Sequence, residues 1–178
     1  MVMLIEELTK VKDYKVETSY LAVSIADRYL VNIAVNGEKA PCLITLAVVC
    51  VLMGAKMEQP VSPSFNRMIH LMYTGHGVKL DKQELINLEE KILRTLEFSC
   101  HHVSPIPFLE RYLRIYGVDQ AEEDTDESQI YELAFSYSLF MQRESHFLKY
   151  RPSQIAATAL VLAINISISK VAPQNELK

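Results

Sequence analysis

Two long apolar segments stand out in the hydrophobic pattern of this 178-residue chain. The first, residues 41–56, opens with Pro41 in what we predict to be the first helical turn, closes with Lys56 and contains one hydroxyl. A helix that is apolar on every side must be surrounded by protein. Because roughly 16 residues fall short of the ~20 that cross a bilayer, the pattern predicts the central helix of a soluble bundle. The second segment, residues 152–169, also opens with a proline.

The residues around the first segment have helical periodicity. Apolar side chains step along one face of a helix predicted at residues 18–32, and no stretch alternates apolar and polar residues as a half-buried strand does. Asp81 and Glu84 have the spacing of a capping box before a fifth helix, whose apolar stripe runs from Leu85 to Leu96. The other elements predicted in this half are helices at residues 2–11, 41–56 and 62–73, and a turn at residues 74–77.

The second half of the chain repeats this order of elements. Its predicted helices cover residues 104–116, starting between 104 and 107, then 129–143 and 152–169. Residues 20–22 and 132–134 precede the two apolar segments at similar distances, with an offset of about 111 residues. We therefore predict an all-α fold with two helical modules, residues 1–103 and residues 104–178.

Charge and cysteine content narrow the functional classes. The formal charge of −4 comes largely from an acidic run at residues 122–127, which we interpret as a solvated loop with Thr125 capping the next helix. The remainder is nearly neutral and lacks the basic footprint of a nucleic-acid-binding protein. Cys42, Cys50 and Cys100 form an odd set, two of them in the first apolar segment, which favours reduced thiols.

The beginning of the chain does not have the pattern of a secretory signal, because charged residues interrupt it. We therefore expect an intracellular protein, in the nucleus or the cytoplasm, with no membrane partner.

No motif predicts an enzyme, a cofactor or a metal. Cys100, His101 and His102 are metal-ligand residue types, but no second cluster completes a four-coordinate zinc site. Residues 74–77 lack the lysine and hydroxyl of a phosphate-binding loop. No catalytic triad or kinase signature is present in the sequence either.

Several motifs resemble those of the cyclin family and occur in the family's order over nearly the whole chain. They are ETSYLAV (17–23) and DRYL (27–30) for the start of a cyclin box, GAKME (54–58) for the end of its central helix, residues 88–98 for the fifth helix and its exit, and HFLKYRPSQIAA (146–157) for the second box of mitotic-type cyclins.

This resemblance implies a regulatory subunit that binds and activates a cyclin-dependent serine/threonine kinase. In the family, a lysine at the end of the central helix and a glutamate in the fifth helix grip the kinase near its αC helix, and they correspond to Lys56 and Glu89. Met53, Met57, Leu93 and Phe98 match apolar contacts around that pair. From the residues alone, Met53 and Leu93 equally fit a core position, and Phe98 fits the closing position of its own helix.

The sequence departs from the family in both halves. The arginine that pairs with the family's counterpart of Asp27 would fall near Met1, and the tryptophan of the substrate-docking patch is replaced, with Glu7 at its place. The second box usually has five helices, whereas here only three are predicted, so we expect an incomplete second bundle with exposed apolar faces. Without that arginine, the sequence leaves three partners open for the Asp27 carboxylate: Arg28, another group or water.

These departures keep two alternatives open. The chain could be a cyclin-fold scaffold subunit of a larger assembly that activates no kinase, with further subunits covering the second box. It could also be a tandem-box transcription factor, a class that the weak basic character disfavours.

Overall fold

The computed structural model describes residues 1–61, 63–118 and 126–171, and within these ranges every regular element is helical. The predicted all-α class is confirmed. The chain divides into two compact units, Met1–His102 and Val103–Lys178.

The first unit contains five helices. They are α1 (Val2–Val11), α2 (Val16–Val35), α3 (Leu43–Glu58), α4 (Phe65–His76) and α5 (Lys82–Thr95). The first apolar segment forms α3, in which every residue from 45 to 55 is buried. Helices α1, α2 and α5 pack against α3, so this segment is the centre of the bundle, as predicted.

Helix α3 begins two residues later than the sequence prediction. Cys42 is its N-cap, with non-helical backbone (φ −56°, ψ 125°), and its carbonyl accepts the first helical hydrogen bond, from the Leu46 N–H at 2.9 Å. Pro41 therefore precedes the helix instead of occupying its first turn.

Helices α2 and α3 cross at close range. A Cβ atom placed on Gly54 would lie 3.0 Å from the Thr18 carbonyl oxygen and 3.4 Å from the Ala22 nitrogen. Beyond the end of α3, the Gln59 side-chain amide donates to the buried Thr18 hydroxyl at 2.7 Å. Glycine at position 54 thus permits the approach that places the end of α3 against α2.

The turn predicted at residues 74–77 is wrong for most of its length, because α4 extends into it. The helix continues through Gly75 to His76 and ends at Gly77, which adopts left-handed backbone with φ +66°. The Gly77 and Val78 N–H groups donate to the Tyr73 and Met72 carbonyls, both at 3.1 Å, and so close the last turn. The predicted start at residue 62 lies outside the described residues, and the observed helix starts at Phe65.

Helix α5 confirms the predicted cap. The Asp81 carboxylate accepts from the Glu84 N–H at 2.8 Å. The side chains of the predicted stripe are buried: Leu85, Leu88, Ile92 and Leu96. Because this stripe is buried, the opposite face of α5 is exposed to solvent; it carries Glu90 and Arg94.

The second unit contains α6 (Ile106–Tyr116), α7 (Asp126–Arg143), a 3₁₀ helix (Ser145–Lys149) that was not predicted, and α8 (Pro152–Val171). Helix α8 packs against α6 and α7 through Ala156, Leu160 and Ala163. Unlike the middle of α3, the middle of α8 has exposed apolar side chains, Val161 at 55% and Leu162 at 38%. The predicted cap at Thr125 lies outside the described residues.

Candidate functional site

Lys56 and Glu89 form an ion pair between α3 and α5. The Lys56 ammonium lies 2.6 Å from the Glu89 carboxylate, and the two side chains are 34% and 15% exposed. Lys56 stands in the last turn of α3, where a cation is favoured by the helix dipole. An ammonium has three N–H donors, and one of them is used here. The pair therefore presents a partly exposed cation whose position is fixed by a neighbouring helix.

Apolar surface surrounds this ion pair. The Lys56 ammonium lies 4.9 Å from the centroid of the Phe65 ring at the start of α4, which is cation–π distance. Met57, the next residue along α3, is 48% exposed. Leu93, one helical turn after Glu89 on α5, is partly buried against the core. Methionine and aromatic side chains are enriched in protein interfaces, so these apolar neighbours make the surface a candidate interface.

Met53 does not join this surface. It is only 4% exposed and belongs to the core cluster of the first unit. It lies within the stretch of α3 from residue 45 to residue 55, in which every residue is buried. The core interpretation that the sequence allowed for Met53 is therefore the one that the packing supports.

The chain leaves α5 through an unusual backbone. Glu97 and Phe98 both have left-handed conformation, with φ of 50° and 59°. The Phe98 N–H donates to the Leu93 carbonyl at 2.8 Å, and the Ser99 N–H donates to the Leu96 carbonyl at 2.8 Å. Phe98 is 72% exposed. Left-handed backbone is costly for a bulky residue, so surrounding contacts must hold the segment in this form.

Arg28 supplies such contacts from α2. Its guanidinium donates to the Ser99 carbonyl at 2.7 Å and to the Cys100 carbonyl at 2.9 Å, while its Nε donates to the Ser24 carbonyl at 3.3 Å. Sequence reasoning missed this role. The only signal was that Arg28 lies in a cyclin-like motif, since no spacing relates residue 28 to residues 99 and 100.

Asp27 is not neutralised by its neighbour Arg28, whose donors point to these carbonyls. Burial raises the pKa of the Asp27 carboxyl above its ordinary value. Among the described residues Asp27 forms no ion pair. Arg28 is thereby excluded as the partner of Asp27, which was one of the possibilities that the sequence left open.

The candidate metal ligands do not converge. No group of three potential ligands occurs in the part of the chain that the structure describes, which includes Cys100, His101 and His102. All three cysteines are free thiols, as predicted, and burial raises the pKa of Cys50. Within the described ranges, no helix has the length and apolar content needed to span a membrane.

Comparison with known proteins identifies the family. The profile of the cyclin N-terminal domain matches residues 1–101, and that of the cyclin C-terminal domain matches residues 103–177. The chain therefore belongs to the cyclin family, as the resemblance predicted.

Individual relatives are distant and longer. G2/mitotic-specific cyclin-B2 of Oryzias latipes is 30% identical over 147 residues, which cover 83% of this chain and 34% of that protein. Putative cyclin-A3-1 of Arabidopsis thaliana is 31% identical over 168 residues, covering 92% of this chain and 44% of that protein. The viral cyclin of herpesvirus saimiri has the same fold, with a TM-score of 0.71 at 22% identity over 98% of this chain and 70% of that one. The chain thus spans about a third of the length of the B-type relative.

Proposed function

We propose that this chain is a regulatory cyclin that binds and activates a cyclin-dependent serine/threonine kinase. The observation that carries the proposal is the Lys56–Glu89 ion pair at 2.6 Å, together with the exposed side chains of Met57, the next residue along α3, and Phe98, at the exit of α5. We call the surface formed by Lys56, Glu89, Met57, Leu93 and Phe98 the kinase-binding surface. Met53 is left out because its side chain is buried.

Each part of this surface has a distinct task. Lys56 is held by Glu89, so its remaining N–H donors can reach carbonyl groups of a partner without a large loss of side-chain entropy. Phe98 is held out of its own core by the left-handed exit of α5, and burying a side chain of this size in a partner contributes about 1.5–3 kcal/mol. Met57 adapts its shape to the partner between them.

Binding at this surface would activate the kinase by shifting a conformational equilibrium. A protein kinase is active only when its β3 lysine pairs with the glutamate of its αC helix. A rigid surface that binds αC better in the inward position than in the outward one increases the active population by its difference in affinity. The cyclin needs no catalytic group for this effect, which agrees with the expectation that the chain is not an enzyme.

A charge swap tests the proposal. In the double variant Lys56→Glu with Glu89→Lys the ion pair can reform with opposite polarity, so folding is preserved while the cation that faces the partner is relocated. We expect the affinity for cyclin-dependent kinases, measured by biolayer interferometry against a panel of them, to fall at least about tenfold. Kinase activity toward a peptide substrate should fall in parallel.

The chain offers a matched control for this swap. Lys91 and Glu38 form a second ion pair at 2.7 Å that also involves α5 but lies outside the kinase-binding surface. The swap Lys91→Glu with Glu38→Lys should leave kinase affinity unchanged, provided that thermal melting shows both variants folded. Unchanged kinase binding by the Lys56/Glu89 swap would refute the assigned surface. Recovery of stoichiometric non-kinase subunits, with no kinase bound by the wild-type chain, would favour the scaffold alternative.

A further inference from the structure

A small cleft lies between the end of α1 and the start of α4, and none of the described residues that line it belongs to the kinase-binding surface. Its volume is about 220 Å³. Two cationic side chains, Lys12 and Arg67, line it together with the hydroxyl-bearing side chains of Tyr14 and Ser64. Val61 and Pro63 supply an apolar wall.

Among the residues that the structure describes, no carboxylate compensates the positive charge in this cleft. No acidic side chain is among the described residues that line it, and neither Lys12 nor Arg67 belongs to an ion pair within the described ranges. Burial raises the pKa of the Tyr14 hydroxyl, and the nearby Arg67 charge lowers it by a smaller amount. Within the described residues of this net acidic chain, the two cations of the cleft thus have no carboxylate partner.

The backbone of α4 adds to the same electrostatic pattern. Ser64, its N-cap, makes no capping hydrogen bond with its side chain, and the first turn contains no acidic residue. The first N–H groups of a helix need acceptors, and the positive end of the helix dipole favours an anion. The two cations and the open helix start therefore act together.

The size of the cleft limits what it can bind. Sites for whole small molecules usually enclose about 300–1,000 Å³, so this cleft accommodates one functional group and its stem. A phosphate monoester carries a charge of about −1.5 to −2 at pH 7 and three acceptor oxygens. That charge matches two cations better than a monoanionic carboxylate would, and the apolar wall suits a carbon stem. We propose that the cleft binds the phosphoryl group of a phosphorylated side chain on a partner protein.

An NMR titration of the ¹⁵N-labelled chain tests this site, with three probes. They are the peptide acetyl-Gly-Gly-phosphoserine-Gly-Gly-amide, its unphosphorylated counterpart and inorganic phosphate. We expect the phosphopeptide to bind saturably and to shift the amide signals of Ser64, Phe65 and Arg67. The unphosphorylated peptide should produce no shift.

Two double variants decide whether the cleft is responsible. Lys12→Gln with Arg67→Gln should weaken phosphopeptide binding at least about tenfold, because it removes both charge-assisted contacts. Lys39→Gln with Lys79→Gln removes the same charge from exposed positions outside the cleft and should leave binding unchanged. The single variant Arg67→Lys keeps the charge and should retain most of the affinity. Melting curves confirm that each variant is folded.

The proposal is overturned by any of four results. These are no saturable phosphopeptide binding, equal binding of the unphosphorylated peptide, equal loss in the two double variants, or binding of inorganic phosphate without binding of the phosphopeptide. The last result would identify a site for the free ion instead of one for a phosphoprotein.

Discussion

Gly54 provides the sharpest test of how the first unit is packed. It lies within α3, where alanine would ordinarily be the better helix former by about 1 kcal/mol. A Cβ at this position would nevertheless lie 3.0 Å from the Thr18 carbonyl oxygen and 3.4 Å from the Ala22 nitrogen. Both obstacles are backbone atoms of α2, so they cannot yield by a change of side-chain rotamer.

We therefore expect Gly54→Ala to destabilise the fold. Forcing an extra carbon into a well-packed site costs about 1–3 kcal/mol. The gain in helix propensity offsets part of that cost, which leaves a net loss of up to about 2 kcal/mol. Gly75→Ala is the matched control, because Gly75 is also helical but its Cβ would meet nothing within 4 Å. That substitution should stabilise the fold by about 0.5–1 kcal/mol.

Urea unfolding followed by circular dichroism measures both variants against the wild-type chain. The midpoint should decrease for Gly54→Ala and increase for Gly75→Ala, with unchanged slopes. A Gly54→Ala variant as stable as Gly75→Ala would show that α2 can move away freely, and the close helix crossing would then not be a constraint on this bundle.

Two further predictions concern α2. Asp27→Asn should raise the melting temperature at pH 7, because burial raises the pKa of Asp27 and so disfavours its charged form. The stability that the protonated carboxyl contributes is fully present below the ordinary pKa of 3.8. It is lost as the pH rises through the raised pKa. Melting curves from pH 3 to pH 7 should therefore show a smaller loss with rising pH in the variant, and a less stable variant at pH 7 would contradict this. Arg28→Ala should lower stability by about 1–3 kcal/mol and accelerate chymotrypsin cleavage after Phe98, because two carbonyl contacts are lost. Arg94→Ala is the control: it removes only an exposed ion pair with Glu90 and should change stability by at most about 0.5 kcal/mol. Equal cleavage rates in the two arginine variants would show that Arg28 does not hold the exit of α5.

The helical elements were largely predictable because their signals are local. The bounds of α1 agree with the prediction, and the Asp81 cap is formed as its spacing indicated. Helix ends were less predictable where a glycine was ambiguous. Gly75 and Gly77 are two residues apart, but only Gly77 takes the left-handed conformation that ends α4, and nothing local distinguishes them.

The composition of the candidate site was predictable only through the family motifs. Lys56 and Glu89 were placed by their motifs, yet their separation of 33 residues contains no information about a 2.6 Å contact. Met53 and Met57 are about one helical turn apart and looked equivalent in sequence, but Met53 lies within the stretch of α3 from residue 45 to residue 55 that is buried on every side, whereas Met57 lies in the last turn and is 48% exposed. Where this burial ends depends on how α1, α2 and α5 are arranged around α3.

By itself the sequence determined the all-α class, the order of the helices and the presence of one helix that must lie at the centre of a bundle. Helical hydrogen bonds and caps join residues three or four positions apart, so a linear pattern can specify them. Only the tertiary structure decided that Arg28 holds the carbonyls of Ser99 and Cys100, and that Lys12 and Arg67 share one cleft. Those contacts join residues more than fifty positions apart, and they exist because whole helices are fixed against each other by the packing of their apolar faces.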